Sequence, residues 1–252
     1  MQAEMEIFKL SKAFGGLMAI SEFDLSVSHG ELLGLIGPNG AGKTTFFNVV
    51  SGVYRPTKGR IICRGKDITG LGPDKIAAQG IVRTFQQTLI FSNHTVLQNV
   101  LVATHLQSKL VFWPALFNTS HYQERERKTS LRALELLDFV GLVHVKQELA
   151  NNLPHGYQRV LGVAIALAAN PFILLLDEPM TGMNQEETEA MMDLVKKINQ
   201  SGTTVLIVEH NMKAVMSICS RVVVLNFGQK VAEGSPEEIS KNEAVIQAYL
   251  GT

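Results

Sequence analysis

Gly37-Pro38-Asn39-Gly40-Ala41-Gly42-Lys43-Thr44 is the stretch on which the reading of this chain turns. It fits G-x-x-x-x-G-K-[ST]; average composition would yield those four fixed positions in a chain this long on the order of once in a hundred. Context narrows it further: the apolar run 31–37 precedes it as a strand, and helical character extends from Gly42 through Gly52. The glycines let successive backbone N–H groups face one anion, and the helix adds the positive end of its dipole at the same point. Lys43 is expected to bridge the β- and γ-phosphates of a nucleoside triphosphate, the Thr44 hydroxyl to ligate Mg2+, and Thr45 to reach the α-phosphate. A glycine-rich turn entering a helix, with no ligand, is the plainer alternative.

A phosphate loop needs a second magnesium handle. Ile173-Leu174-Leu175-Leu176-Asp177 offers four apolar residues and then a carboxylate, the pattern of a buried parallel strand ending at the sheet edge where ligands sit. Glu178 follows at once. Asp177 is expected to hold magnesium through a water and Glu178 to polarise an attacking water. Two acids after a strand could also be a solvated strand end; the phosphate loop argues against that.

Working outward, residues 5–10 and 20–26 read as strands, and 54–64 as a turn around Pro56, Lys58 and Gly59 leading into Ile61-Ile62. From about Ser92 to Ala169 the strand signal fades. Residues 96–105 and 122–140 read as helices, the second with Leu131, Leu134, Leu137 and Val140 recurring at spacing three. Between them the apolar octet 110–117 is either a connection folded over its own subdomain or a contact surface for a partner. Strand–helix alternation then returns: 172–177 and 203–208 are short apolar runs suited to buried parallel strands. Met191, Leu194, Val195 and Ile198 form a helical stripe between them. Residues 221–227 and 229–232 read as a final hairpin around Gly228.

Composition bounds the function. The 252 residues are 46% hydrophobic and 18% charged, an ordinary globular balance. Lys plus Arg and Asp plus Glu both number 23, so no broad basic surface is implied and nucleic acid is not an expected partner. Cys63 and Cys219 match neither a zinc pattern nor a disulfide framework, which favours a reducing compartment. Residues 1–10 carry Glu4 and Glu6 and do not read as a signal peptide. The apolar runs 161–169 and 172–176 fall short of the roughly 20 residues that span a bilayer.

The order of the motifs resembles the nucleotide-binding subunits of ABC transporters, over nearly the whole chain. After the phosphate loop, Arg83-Thr84-Phe85-Gln86 is similar to the Q-loop; Leu153-Pro154-His155-Gly156-Tyr157-Gln158-Arg159 stands in the place of the LSGGQ signature; His210 ends the strand after Asp177 as the switch histidine does. The resemblance implies an α/β chain with a P-loop NTPase core, mainly a parallel sheet with flanking helices, plus an N-terminal antiparallel β subdomain and an inserted α-helical subdomain. It implies one domain over 1–252, with 1–91 and 171–252 forming the core and about 92–170 the helical part. Catalysis would fall to Glu178, His210 and Gln86, with Mg2+ held by Thr44, Gln86 and Asp177. ATP would lie on Gly37, Pro38, Asn39, Gly40, Ala41, Gly42, Lys43, Thr44 and Thr45, its adenine stacked on Phe14, with Phe8 and Phe23 as competitors. The opposite subunit would supply Pro154, His155, Gly156 and Gln158 in trans.

Two departures from the family pattern stand out. Pro154 replaces the signature serine, a loss of about 0.5–1.5 kcal/mol of net hydrogen bonding, which leaves the backbone N–H groups near Gly156 as donors. Asn184 stands where an aspartate is common; with Glu187 three residues on, it reads as a helix capping box, an intersubunit residue, or both. Phe14-Gly15-Gly16-Leu17-Met18-Ala19, Val208-Glu209-His210-Asn211-Met212 and Ala248-Tyr249-Leu250-Gly251 look like the branched-chain amino acid importer ATPases, the larger of that system's two. The resemblance thus implies ATP hydrolysis at the cytoplasmic face of the membrane, beside a second ATPase subunit and transmembrane permease subunits, with a solute-binding protein acting indirectly. Lipopolysaccharide-export ATPases, a weakly hydrolysing partner subunit, and soluble ABC proteins of translation or DNA repair are the alternatives.

Overall fold

The computed structural model describes residues 3–84, 90–107 and 120–250. The chain divides into two compact units, Met1–Arg83 with Phe172–Thr252, and Thr84–Pro171. In the first unit, β1 (Ala3–Phe14) and β2 (Leu17–Ser28) pair antiparallel, β4 (Lys58–Cys63) joins the other edge of β1, and β5 (Lys66–Asp67) completes a four-stranded sheet. Alternation decides the faces of β2: Phe23, Leu25 and Val27 are buried while Asp24 and Ser26 are exposed. The β1–β2 register slips near Lys9 and again near Glu22, both at φ of about 45°, so each strand carries a bulge that bends it.

The second sheet holds β10-β9-β3-β8-β7-β6 in that order, where β3 is Leu32–Ile36, β6 Ile81–Arg83, β7 Ile173–Asp177, β8 Thr204–Val208, β9 Arg221–Asn226 and β10 Gln229–Gly234. Every pairing is parallel except the β9–β10 hairpin. Strands β3, β7 and β8 are buried at every position, as unbroken apolar runs covered on both faces must be. Helix α1 (Lys43–Val50) drives Phe46 and Phe47 into a cluster that spans both sheets, with the Phe46 ring 4.9 Å from that of Phe23. Buried Glu4 of β1 accepts hydrogen bonds from Arg64 and from Thr204 of β8, fastening one sheet to the other. The short helix α2 (Pro73–Ala78) and strand β6 had no sequence signal long enough to read. The expected turn at Pro56–Gly59 is shorter than read, because pairing with β1 already begins at Lys58.

The second unit is helical: α3 (Val96–Gln107), α4 (Ser120–Phe139) and α5 (His155–Ala168), with α3 packed on both others. Thr95 and Gln98 exchange side-chain and backbone hydrogen bonds of 3.1 and 2.8 Å, a capping box that starts α3. Buried Asn99 bonds to both the N–H and the carbonyl of Phe91, closing the turn before the helix. The inward face of α4 is Ala133, Leu136 and Leu137, continued by Val140; Leu131 is 48% exposed. That corrects the stripe read at spacing three: three residues fall short of a 3.6-residue turn, so a strict i+3 row drifts off the buried face. The octet 110–117 lies outside the described residues. Among those described, no helix is long and apolar enough to cross a membrane.

The first unit resumes with α6 (Gln185–Gln200), which buries Met191, Leu194, Val195 and Ile198. Asn184 accepts from Glu187 N at 2.9 Å and the Glu187 carboxylate accepts from Asn184 N at 3.0 Å, so the expected capping box is formed. Helices α7 (Met212–Ile218), α8 (Pro236–Ser240) and α9 (Glu243–Leu250) complete the chain. Both cysteines are buried, and burial pushes the Cys63 thiol up to about 11 and the Cys219 thiol up to about 12.

The packing of α4 is testable by urea denaturation. Leu137→Ala should cost about 2–5 kcal/mol, whereas Leu131→Ala should stay within about 0.5 kcal/mol of the parent. Equal losses at the two positions would show that α4 presents a different face.

Candidate functional site

The phosphate loop runs from the end of β3 into α1. Its shape depends on Gly42, whose φ of 107° is closed to side chains and whose Cβ would lie 2.5 Å from the Ala19 carbonyl. Lys43 is buried, and its Nζ donates to the carbonyls of Gly37 at 2.6 Å and Pro38 at 3.0 Å. Burial lowers the pKa of its ammonium, while the charges of Glu178 and Asp177 draw it back up. The lysine thus sits folded over its own loop, within electrostatic reach of two carboxylates. Thr44 is exposed and Thr45 half-buried, and the α1 N-terminus carries no acidic residue in its first turn.

One cavity of about 470 Å³ collects Asn39, Gly40, Ala41, Gly42, Lys43, Thr44 and Thr45 with Phe14, Glu178 and His210. Gly37 and Pro38 do not line it; Pro38 instead borders a second groove of about 400 Å³ beside α9. Phe14 is the aromatic residue of the three considered that reaches the cavity. Phe23 is 1% exposed in the core, which removes it as a stacking candidate, and Phe8 does not line the cavity. The Phe14 ring meets Tyr54 edge-on at 5.3 Å and has the Lys12 ammonium 4.8 Å from its centre.

The acidic pair divides its work. Asp177, buried at the end of β7, receives a 2.6 Å hydrogen bond from Arg83 Nη2. Arg83 Nη1 also donates to Asn48 of α1 at 2.6 Å and to Ser51 at 3.2 Å, so the arginine ties the strand-end acid to the helix behind the phosphate loop. Glu178 takes a positive φ of 50°, a conformation rare for a side-chain-bearing residue and one that turns the chain sharply out of the strand. Its Oε1 lies 2.5 Å from His210 Nε2 and its Oε2 3.4 Å from the Thr181 hydroxyl.

Glu209 was missed as a site residue. It is buried, its Oε1 accepts from Met180 N at 2.6 Å and its Oε2 from His210 N at 3.0 Å. Burial raises its carboxyl above the ordinary glutamate value, and the N–H groups of Met180, His210 and Asn211 pull it back down. One side chain thereby links the turn after Glu178 to the backbone of His210. The available signal was an acid directly before a strand-end histidine, which is too common to stand alone. Arg83 carried no role in the sequence reading either, since a motif arginine gives no hint of its partner.

In the helical unit, Pro154 is the N-cap of α5 and supplies no side-chain acceptor to the N–H groups of the first turn. Pro154, His155 and Tyr157 are exposed and Gly156 is buried. Gln158 is half-buried and donates from Nε2 to the Leu153 carbonyl at 2.9 Å, which closes the loop onto itself. Gln86 lies outside the described residues.

Among the described residues no group of three or more His, Cys, Asp or Glu could hold a metal by itself. Thr44 borders the cavity, whereas Asp177 does not line it and is paired with Arg83. Their hydroxyl and carboxylate oxygens are the hard donors that magnesium takes, its shell completed by phosphates and water. The cation now beside Asp177 makes a further point testable. Arg83→Met should cost about 3–5 kcal/mol in chemical denaturation, because it strips a buried carboxylate of its counter-charge. Arg83→Met with Asp177→Leu should recover much of that; a double variant as unstable as the single would refute the pairing.

Comparison with known proteins places this geometry. The ABC transporter family matches residues 20–181, and a family described as branched-chain amino acid ATP-binding cassette transporter matches residues 229–252. The chain is 42% identical to the high-affinity branched-chain amino acid transport ATP-binding protein LivG of Salmonella typhimurium, over 96% of this chain and 95% of that protein. It is 42% identical to BraF of Pseudomonas aeruginosa, a protein of the same description, over 98% and 97%. Identity to the lipopolysaccharide export system ATP-binding protein LptB of Haemophilus influenzae is 33%, over 96% and 95%. Among solved structures, the ADP conformation of the ATP-binding cassette MJ1267 superposes with a TM-score of 0.87 at 28% identity, covering all of both chains. A dimeric post-hydrolysis cassette, MJ0796 with ADP and Pi, gives 0.77 at 25% identity over 92% of this chain and 98% of that one.

Proposed function

Because the chain belongs to the ABC transporter family of ATP-binding proteins, we propose that it is the ATP-hydrolysing subunit of an importer for branched-chain amino acids. The observation that carries the chemistry is the single cavity that brings the phosphate loop, Glu178 and His210 together. The choice of solute rests on relatives: identity is 42% to LivG and BraF against 33% to LptB, and the C-terminal match at 229–252 is to the branched-chain family. The same likeness favours the importer over the lipopolysaccharide-export alternative. Work at the cytoplasmic face, beneath transmembrane permease subunits and beside a second ATPase subunit, is part of this proposal, as is an indirect dependence on a solute-binding protein.

The mechanism follows from the residues. On ATP binding, Lys43 leaves the carbonyls of Gly37 and Pro38 and turns to the β- and γ-phosphates, while the N–H groups at the start of α1 hold the β-phosphate. Thr44 and Gln86 would hold Mg2+, with Asp177 reaching it through a water, and the ion would supply charge neutralisation to the phosphates. Glu178 orients a water in line with the γ-phosphorus and accepts its proton as the bond to the β–γ bridging oxygen breaks, releasing ADP and phosphate. During this step His210, already against Glu178, contacts the γ-phosphate and fixes the carboxylate's aim. The N-terminus of α5 on a second subunit, at Pro154, His155, Gly156 and Gln158, covers that phosphate. Pro154 has no N–H and the Gln158 N–H is held by the Pro154 carbonyl, so the donors are the backbone N–H groups of His155 and Gly156, the role a signature serine would share.

Glu178→Gln should lower ATP turnover about 10²–10⁴-fold while nucleotide binding persists, and Lys43→Ala should weaken binding itself. In cells whose only copy is Glu178→Gln, leucine uptake should fall with it while uptake of unrelated amino acids is kept. Wild-type turnover in Glu178→Gln would remove the glutamate from its role; normal leucine uptake would remove the assigned solute.

A further inference from the structure

We propose that Phe227 is a second aromatic contact for the base of the bound nucleotide, lining the same cavity as Phe14. The proposal rests on the reading of that cavity as the nucleotide site and adds to it a residue from the β9–β10 hairpin.

Two costs mark Phe227. It is 85% exposed, more than any other large apolar side chain among the described residues. It also stands at φ of 44° in the two-residue loop between Asn226 and Gln229, followed by Gly228 at 77°. Two successive positive φ values make a type I′ turn, whose first position favours Asn, Asp or Gly because a bulky side chain is strained there. The other non-glycine residues with positive φ among those described are Lys9, Glu22, Arg64, Asn170 and Glu178, all of them polar. An aromatic ring that is both strained and in water does nothing for the hairpin. Strain of this kind persists where the surrounding structure enforces it, and it concentrates at sites of function.

The surroundings do enforce it. Gly228 N donates to the Ala41 carbonyl in the phosphate loop at 2.9 Å, and the Gly228 carbonyl accepts from Ser21 N in β2 at 2.8 Å. A Cβ on Gly228 would lie 2.7 Å from the Ala19 carbonyl, so the turn is seated against β2 with no room to spare. Phe227 is therefore anchored to the phosphate loop through its neighbour.

The cavity has two chemistries. Lys43, Thr44 and Thr45 offer charge and hydroxyls, whereas Phe14, Leu17, Met18 and Phe227 offer apolar surface that is otherwise in water. A bare phosphate would use only the first set. A nucleotide uses both, because a flat purine stacks on aromatic rings whatever its hydrogen-bonding edge. The expected contribution is accordingly to affinity, with little choice between adenine and guanine.

The test is calorimetric binding of ADP and of inorganic tripolyphosphate, the latter a probe without a base, to the purified chain. Phe227→Ala should weaken ADP about tenfold and leave tripolyphosphate unchanged, and Phe227→Tyr should bind ADP like the parent. Parental ADP affinity in Phe227→Ala would overturn the proposal, as would an equal loss for both probes, which would mean a disturbed loop. If the parent binds neither probe, or binds both equally well after Lys43→Ala, the nucleotide-site reading itself fails and takes this proposal with it.

Discussion

Parallel register is the constraint on which the site depends. Asp177 lies opposite Val208 across β7 and β8, and Leu35 lies opposite the same Val208 across β3 and β8. Three adjacent strands therefore end level, and each opens at that edge into something chemical: the phosphate loop after β3, Glu178 after β7, His210 after β8. A one-residue slip in either pairing would shift one group by about 3.3 Å and turn its strand's side chains to the other face. The apolar runs that make these strands are thus also what sets the separation of lysine, glutamate and histidine.

Charge is concentrated at that edge with little water to screen it. Lys43, Asp177, Glu178 and Glu209 are all buried, and Arg83 is nearly so. Each is tolerated because a partner is placed for it: arginine for Asp177, histidine for Glu178, backbone N–H groups for Glu209, carbonyls for Lys43. Lys43 and Glu178 border the cavity and can exchange their partners for ligand oxygens and water. Arg83 and Glu209 do not border it, and act as the fixed frame around the groups that change partners.

Much of this is legible in the sequence alone. Glycine spacing, a lysine and an apolar strand ending in two acids are local signals, each with a mechanism that needs only a few neighbouring residues. The α6 stripe and its cap at Asn184 were readable for the same reason. What escaped was set by tertiary contact. No local feature tells that Arg83 will meet Asp177, 94 positions away, or that the two oxygens of Glu209 will serve two different loops. The choice among Phe8, Phe14 and Phe23 was open to finer reading. Phe23 alternates with acidic Glu22 and Asp24, which is the mark of an inward-facing strand position. In α4 the error came from period: leucines at strict spacing three invite a stripe that a 3.6-residue helix does not keep, and Leu131 ended in solvent.

The two buried cysteines have a chemical consequence. A thiol whose pKa stands near 11 or 12 is ionised to roughly one part in ten thousand or less at neutral pH, and the thiolate is the form that peroxide and alkylating reagents attack. Burial thus disfavours at both Cys63 and Cys219 the form that such reagents attack. Thiol-directed dyes should pass the native protein by, so a cysteine introduced at an exposed position would report alone.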